Sequence, residues 1–214
     1  MSALHRARLY GIIDFGYTRA ERAISDAASM IEGGVGVIQL RAKKETPAAL
    51  LPVATELARL CQGRGVPFII NDHPRLAIDC MADGVHVGQD DLSVTEVRRL
   101  IGPGKIIGLS THSPAQARAA VDQHPDYIGF GPLFATPTKA DYQPVGTGDI
   151  AAVCASAPFP VFCIGGIKRE NLADVLAAGA RRVVIVSGIL QAADIASYCR
   201  ECLNLLGQPG SSSN

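Results

Sequence analysis

The sequence predicts an α/β protein, a single (β/α)8 TIM barrel, on three observations. Short runs rich in Val and Ile alternate with amphipathic helical patterns along the chain. The β-then-α unit recurs about eight times at a spacing of roughly 20–35 residues, the count of a closed barrel. Residues with useful chemistry follow the apolar runs, where the loops of such a barrel build their site. The runs scarcely alternate in polarity, as expected of parallel strands buried on both faces. A doubly wound open sheet fits less well: the first run leads into Asp14-Phe15-Gly16-Tyr17, not a Gly-x-Gly-x-x-Gly turn, and no Gly-x-x-x-x-Gly-Lys-Ser/Thr loop occurs.

In chain order, a first strand over Leu9–Ile13 precedes a helix opened by the capping box Thr18-x-x-Glu21, with an apolar stripe at Ala23, Ile24, Ala27 and Ile31. The second strand, Val37–Leu40, is followed by a helix with Thr46 as cap and Pro47 at its first position. Phe68–Ile70 and Gly84–Val87 are the third and fourth strands. Ser93-x-x-Glu96 caps a helix with Val94, Val97, Leu100 and Ile101 inward. Ile106–Leu109 is the fifth strand, and Ser113, Pro114 and Gln116 start the next helix. Tyr127–Phe130, Val161–Ile164 and Val183–Val186 complete the eight, and Ile195, Tyr198, Cys202 and Leu205 stripe the last helix. The barrel is assigned residues 1–206, and residues 207–214 read as a flexible tail.

Composition narrows the function. Lys plus Arg and Asp plus Glu are 20 each, so net charge is zero and a general nucleic-acid binder is disfavoured. There is no Trp and aromatics are 5%, too few for a base-stacking platform. No apolar run approaches the ~18 residues that span a bilayer, and the short apolar stretch near the N-terminus is broken by Asp14. The six cysteines fall in apolar or helical segments, and Cys199-x-x-Cys202 lacks the second pair a zinc site needs, so these read as ordinary helix positions. The expectation is a reducing, cytoplasmic enzyme acting on small molecules, with neither membrane nor nucleic-acid partner and with a homo-oligomer left open.

The site residues follow strands. Gln39, Arg41 and Lys43 share one face of an extended chain, an amide and two cations suited to a polyanion with a heteroaromatic edge. Asn71 and Asp72 follow the third strand and Gly88-Gln89-Asp90-Asp91 the fourth. Ser110 and His112 follow the fifth, and Gly131 to Lys139 the sixth. Gly165-Gly166 and Ser187-Gly188 end the last two strands, where backbone N–H groups can approach a phosphate. Asp72 and Asp91 could converge on Mg²⁺, which takes one or two carboxylates plus phosphate oxygens and water. In the blander reading Asp72 caps a helix near His73-Pro74 and Asp91 is a solvated charge, with Asp90 its competitor. His86 and His112 are left without a catalytic role, and no Ser-His-Asp arrangement is evident.

These pieces resemble one family, thiamine-phosphate synthase, over about residues 9–206. The match lies in Gln39-Leu40-Arg41-x-Lys43, Asn71-Asp72, His86-Val87-Gly88-Gln89-x-Asp91, Gly108-Leu109-Ser110, Gly131-Pro132-x-Phe134-x-Thr136-x-Thr138-Lys139, Gly165-Gly166-Ile167 and Val186-Ser187. The resemblance implies a transferase that joins 4-amino-2-methyl-5-hydroxymethylpyrimidine diphosphate to hydroxyethylthiazole phosphate, giving thiamine phosphate and pyrophosphate. It implies that Gln39, Leu40, Arg41, Ala42, Lys43, Asn71, Ser110 and Lys139 bind the diphosphate, with Arg41, Lys43, Ser110 and Lys139 acting in catalysis. Thr136, Pro137, Thr138, Gly166, Val186 and Ser187 would hold the thiazole phosphate. Asp72 and Asp91 would hold Mg²⁺, the Gly-Gln-x-Asp pattern selecting Asp91 over Asp90. The chain departs from the family pattern at Ile13, where Thr or Ser is common, at Cys163, and at Gly188, where Ala is frequent. A thiazole tautomerase-like isomerase and a non-catalytic phosphate-binding barrel are the rival readings. The first would lack much of the cationic and acidic set, and the second would not need convergent carboxylates.

Overall fold

A computed structural model describes residues 2–136 and 143–207. Eight parallel strands close into a barrel in sequence order. They are β1 (Leu9–Asp14), β2 (Val37–Arg41), β3 (Phe68–Asn71), β4 (Gly84–Val87), β5 (Ile106–Thr111), β6 (Tyr127–Phe130), β7 (Val161–Cys163) and β8 (Val183–Ile185). The α-helices among the described residues are α1 (Ala3–Arg6), α2 (Ala20–Glu32), α3 (Pro47–Arg64), α4 (Pro74–Asp79), α5 (Val94–Ile101), α6 (Pro114–Ala119), α7 (Ile150–Ser156), α8 (Leu172–Ala177), α9 (Ser187–Leu190) and α10 (Ile195–Leu206). The expected fold class and all eight strands are observed, β4 and β6 with the expected ends and the others with ends shifted by one or two residues. β1, β2, β3 and β5 run further, because ladder pairing continues through Asp14 with Arg41 and through Asn71 with His86.

The period of two sorts each strand's residues between two cores. Leu9, Ile13, Ile38, Leu40, Phe68, Ile70, Val85, Val87, Ile107, Leu109, Ile128 and Phe130 join the large cluster shared with the helices. Tyr10, Ile12, Val37, Ile69, Tyr127, Phe162 and Val184 form a second cluster, joined by Leu4 and Ala7 from α1 and the residue after it. The barrel interior is thus a packed core on one side and open to a cavity on the other. Tyr10, Tyr127 and Phe162 stack edge to face or tilted, with ring centroids 5.4–5.9 Å apart. Gly108 makes room for them: a Cβ there would overlap the Tyr127 ring and hydroxyl and His86 Nδ1.

Helix starts follow the sequence in part. Ser93 and Glu96 form the full capping box, and Thr46 caps α3 with Pro47 at its start. Ser113 accepts from the Gln116 N–H, but the Gln116 side chain returns to the N–H of His112 at 2.7 Å. The box expected at Thr18 does not form. α2 begins after Arg19, and the buried Thr18 hydroxyl donates to the Asp26 carboxylate at 2.6 Å, a charged and therefore stronger acceptor. Two expected stripe residues point outward: Leu100 is 44% exposed and Leu205 48%. Ile101, expected in the same stripe, is buried as expected, and in α10 the next residue, Leu206, takes the inward position, one helical step of about 100° away. The expected tail lies, but for Gly207, outside the described residues. No described helix is long and apolar enough to cross a membrane.

Phe162 is fully buried between the two tyrosines. Its replacement by Ala should cost about 3–5 kcal/mol, read as a lower urea midpoint with unchanged slope. A loss below about 1 kcal/mol would show that the interior aromatic layer does not hold the barrel together.

Candidate active site

The C-terminal ends of the strands open into a cavity of about 350 Å³, the size of a small-ligand pocket. Its lining draws on every strand or the turn after it. Gln39, Arg41 and Lys43 all face it, as the two-residue period requires. Leu40 and Ala42, between them, are buried in the outer cluster and face the helix layer. Asn71, Asp72, Ser110, Thr136, Gly166, Val186 and Ser187 also line the cavity, with Asp90 and Asp91 both present. Pro137, Thr138 and Lys139 lie outside the described residues.

The cations at this mouth are already engaged. Arg41 Nη1 donates to Asp14 Oδ2 at 2.8 Å, and Asp14, only 2% exposed, also accepts the Gly16 N–H at 2.8 Å. The pair bridges β1 and β2 where Asp14 and Arg41 are in register. Asp14 follows an apolar run, so its role as the anchor of Arg41 was not evident from spacing. Lys43 Nζ is paired with Asp72 Oδ2, joining the end of β2 to the end of β3.

Asp72 has φ of 60°, a left-handed conformation that Asp adopts more readily than most residues. Its N–H donates to the His86 carbonyl at 2.9 Å, which fixes the turn against β4. Asp91 folds back so that Oδ2 accepts the Gly88 N–H at 2.7 Å. In the same turn Gln89 Nε2 donates to the Ser110 carbonyl at 2.5 Å, tying the end of β4 to β5. Gly166 has φ of 65°, and a Cβ there would lie 2.7 Å from Phe134 Cβ, so only glycine suits this turn.

Two carboxylates facing one cavity are hard oxygen donors of the type that Mg²⁺ takes beside phosphate oxygens. Among the described residues no group of three or more His, Cys, Asp or Glu could hold a metal by itself. The donor set therefore fits an ion shared with a phosphate ligand rather than one caged by protein.

The floor of the cavity carries a chain of hydrogen bonds that the sequence did not reveal. Gln39 Nε2 donates to the Tyr10 hydroxyl at 2.7 Å, and that hydroxyl lies 2.9 Å from the Tyr127 hydroxyl. Tyr127 Oη is 3.0 Å from His86 Nδ1, and His86 Nε2 is 2.9 Å from Ser110 Oγ. Burial pushes both phenols well above their ordinary range, so both keep their protons. The available signal was positional: Tyr10, His86 and Tyr127 share the inward period with Gln39 and Ser110, but their register across strands is a tertiary fact.

The cysteines are all free, and Cys199 and Cys202 are buried in α10. Burial pushes both thiols up to about 12, which suits packing rather than metal ligation. At Gly188 the place of an alanine Cβ is held by the Tyr198 hydroxyl, which would lie 2.6 Å from it and which accepts the Arg169 N–H at 2.8 Å.

The closed barrel and its mouth define the class: a TIM-barrel protein with a polar small-molecule site at the C-terminal ends of its strands. Residues 9–189 match the family described as thiamine monophosphate synthase. The chain is 44% identical over 201 residues to the thiamine-phosphate synthase of Pelotomaculum thermopropionicum, covering 94% of this chain and 92% of that one. It is 43% identical over 189 residues to that of Shouchella clausii, covering 88% and 90%. The solved thiamine phosphate pyrophosphorylase from Pyrococcus furiosus superposes with a TM-score of 0.86 at 27% identity, over 94% of this chain and 96% of that one. The 3-hexulose-6-phosphate synthase of Salmonella typhimurium shares the fold, with a TM-score of 0.68 at 17% identity over 93% and 98%. The chain belongs to the thiamine monophosphate synthase family and is a transferase of thiamine biosynthesis.

Breaking the Asp14–Arg41 pair should be costly because the guanidinium, its side chain only 15% exposed, would lose the carboxylate that compensates its burial. Asp14→Ala should lose about 3 kcal/mol of stability by chemical denaturation. An unchanged midpoint would show that solvent replaces the carboxylate.

Proposed function

We propose that the cavity joins the methylene carbon of 4-amino-2-methyl-5-hydroxymethylpyrimidine diphosphate to the ring nitrogen of hydroxyethylthiazole phosphate, with Mg²⁺, to give thiamine phosphate and pyrophosphate. The observation that carries the reading is the division of one cavity. Gln39, Arg41, Lys43, Asn71, Asp72, Asp91 and Ser110 line the side built by β2 to β5, and Gly165, Gly166, Val186 and Ser187 the side built by β7 and β8. A diphosphate and a separate phosphate need two such places. The isomerase reading would leave the cationic and acidic side without a task.

The carbon–oxygen bond to the diphosphate breaks with its electron pair on the leaving oxygen, and the thiazole nitrogen lone pair forms the new bond. The aminopyrimidine ring stabilises the positive carbon in between, so no protein nucleophile is required. Asp72 and Asp91 would hold Mg²⁺, which when bound neutralises charge on the departing diphosphate. Lys43 would exchange its partner Asp72 for phosphate oxygens. Arg41, oriented by Asp14, faces the cavity and would carry positive charge to the diphosphate, and Lys139 is assigned to the same anion from the sequence motif. Thr136, Pro137 and Thr138, with Gly166, Val186 and Ser187, would hold the thiazole phosphate. Catalysis then rests on positioning and on stabilising leaving-group charge. Six free cysteines support a reducing, cytoplasmic setting.

Pyrophosphate release should require both substrates and Mg²⁺, and its absence in folded protein would remove the synthase reading. Asp72→Ala should lose metal dependence and about 10²-fold or more of kcat while folding normally; full activity would take Asp72 out of the metal site. Lys43→Ala should raise KM for the diphosphate about tenfold and Ser187→Ala should act on the thiazole phosphate. Equal effects on both substrates would overturn the division of the cavity.

A further inference from the structure

We propose that Gln39, Tyr10, Tyr127 and His86 form a one-way hydrogen-bond chain that turns the Ser110 hydroxyl proton toward the cavity, so that Ser110 donates to the departing diphosphate and His86 is its positioning residue. The order of the chain stands on the distances, and its direction on the Gln39 amide that opens it. Its use toward a diphosphate rests on the synthase reading above.

The argument starts at the amide. An amide NH2 can only donate, and Gln39 Nε2 donates to the Tyr10 oxygen at 2.7 Å. Tyr10 therefore has one proton left to give, and the Tyr127 oxygen lies 2.9 Å away. Tyr127, having accepted, passes its own proton toward His86 Nδ1 at 3.0 Å. Nδ1 must then carry the lone pair, which places the proton of the neutral ring on Nε2. Nε2 faces Ser110 Oγ at 2.9 Å and donates to it. The serine oxygen accepts from the floor of the barrel, and its own proton is left for an acceptor on the cavity side. Ser110 lines that cavity.

The surroundings keep the chain from rearranging. Tyr10 and Tyr127 are each 1% exposed and Gln39 is 3%, so solvent does not reach the first three members to offer another partner. Both phenols are packed against Phe162, which fixes where their oxygens lie. Gly108 leaves the space between Tyr127 Oη and His86 Nδ1 open: a Cβ at that position would overlap both atoms. The five members come from five strands, β1, β2, β4, β5 and β6, so the chain exists only in the closed barrel. If the Gln39 amide were turned, its oxygen would accept from Tyr10, every bond would reverse, and Ser110 would be left an acceptor facing an anion. The two directions differ in one measurable place, the His86 tautomer.

The test uses the full chain with 15N-labelled histidine, His86 being assigned by comparison with His86→Gln. In ligand-free protein the ring shifts and couplings should show the Nε2–H tautomer; the Nδ1–H tautomer would overturn the proposal. Gln39→Glu puts a carboxylate acceptor in place of the amide donor and should switch His86 to Nδ1–H. An unchanged ring would overturn Gln39 as the origin of the direction. Tyr127→Phe removes one oxygen from a packed ring and should lower kcat about tenfold with both KM values within about twofold; an unchanged kcat would overturn the positioning role. The tautomer is read without substrate, so it stands apart from pyrophosphate release. A protein that releases pyrophosphate with His86 in the Nδ1–H form rejects the chain direction alone, and an Nε2–H protein that releases none rejects the synthase reading alone.

Discussion

Leu9, Tyr10 and Gly11 of β1 pair with Val183, Val184 and Ile185 of β8, and this ladder closes the sheet. Closure turns a period of two into an inside and an outside. Every second residue of eight strands is sent to one central volume, while those between are sent to the helix layer. The interior must then be filled to the density of a core. Tyr10, Tyr127, Phe162, Ile69 and Val184 fill it from below, with Leu4 and Ala7 beneath them. Above this layer the same inward positions hold Gln39, Asn71, His86 and Ser110, and the cavity begins.

The polar half of the barrel follows a second constraint, that charge and hydrogen-bonding capacity taken from water need partners. Arg41 rests on the buried Asp14, and Lys43 reaches Asp72. Pairs of this kind contribute little net stability after desolvation. They hold long side chains at defined places around the mouth, and they tie β1 to β2 and β2 to β3 at the end where the site lies. The floor network does the same with neutral groups. It satisfies two buried phenols and an amide, and it delivers an oriented hydroxyl to the cavity.

Strand positions were legible because strands buried on both faces leave continuous Val- and Ile-rich runs, and none of the eight was missed. Their ends were less legible, since ladder pairing extends β1 to Asp14 and β5 to Thr111 into polar residues. Helix faces were read to within one step: Leu100 and Leu205 fit the apolar stripe by type but face outward, while Ile101 of the same stripe and the unforeseen Leu206 fill the inward places. The cap at Thr18 failed because a buried carboxylate eight residues on, Asp26, competes for the same hydroxyl. A local motif cannot register a partner that arrives with the helix.

The order of βα units, the alternation along Gln39 to Lys43 and the turns after each strand are written in the sequence, because periodicity and turn chemistry act over a few residues. These determine the barrel and the family, and they name the residues at its mouth. Which of those residues touch is set by closure and by register across strands. Asp14 lies 27 positions from Arg41 and Tyr10 lies 117 from Tyr127, and nothing local to any of them encodes the other. The partners of the cations, the left-handed turn at Asp72 and the chain from Gln39 to Ser110 were decided by tertiary structure, since only a closed sheet brings five strands to one point.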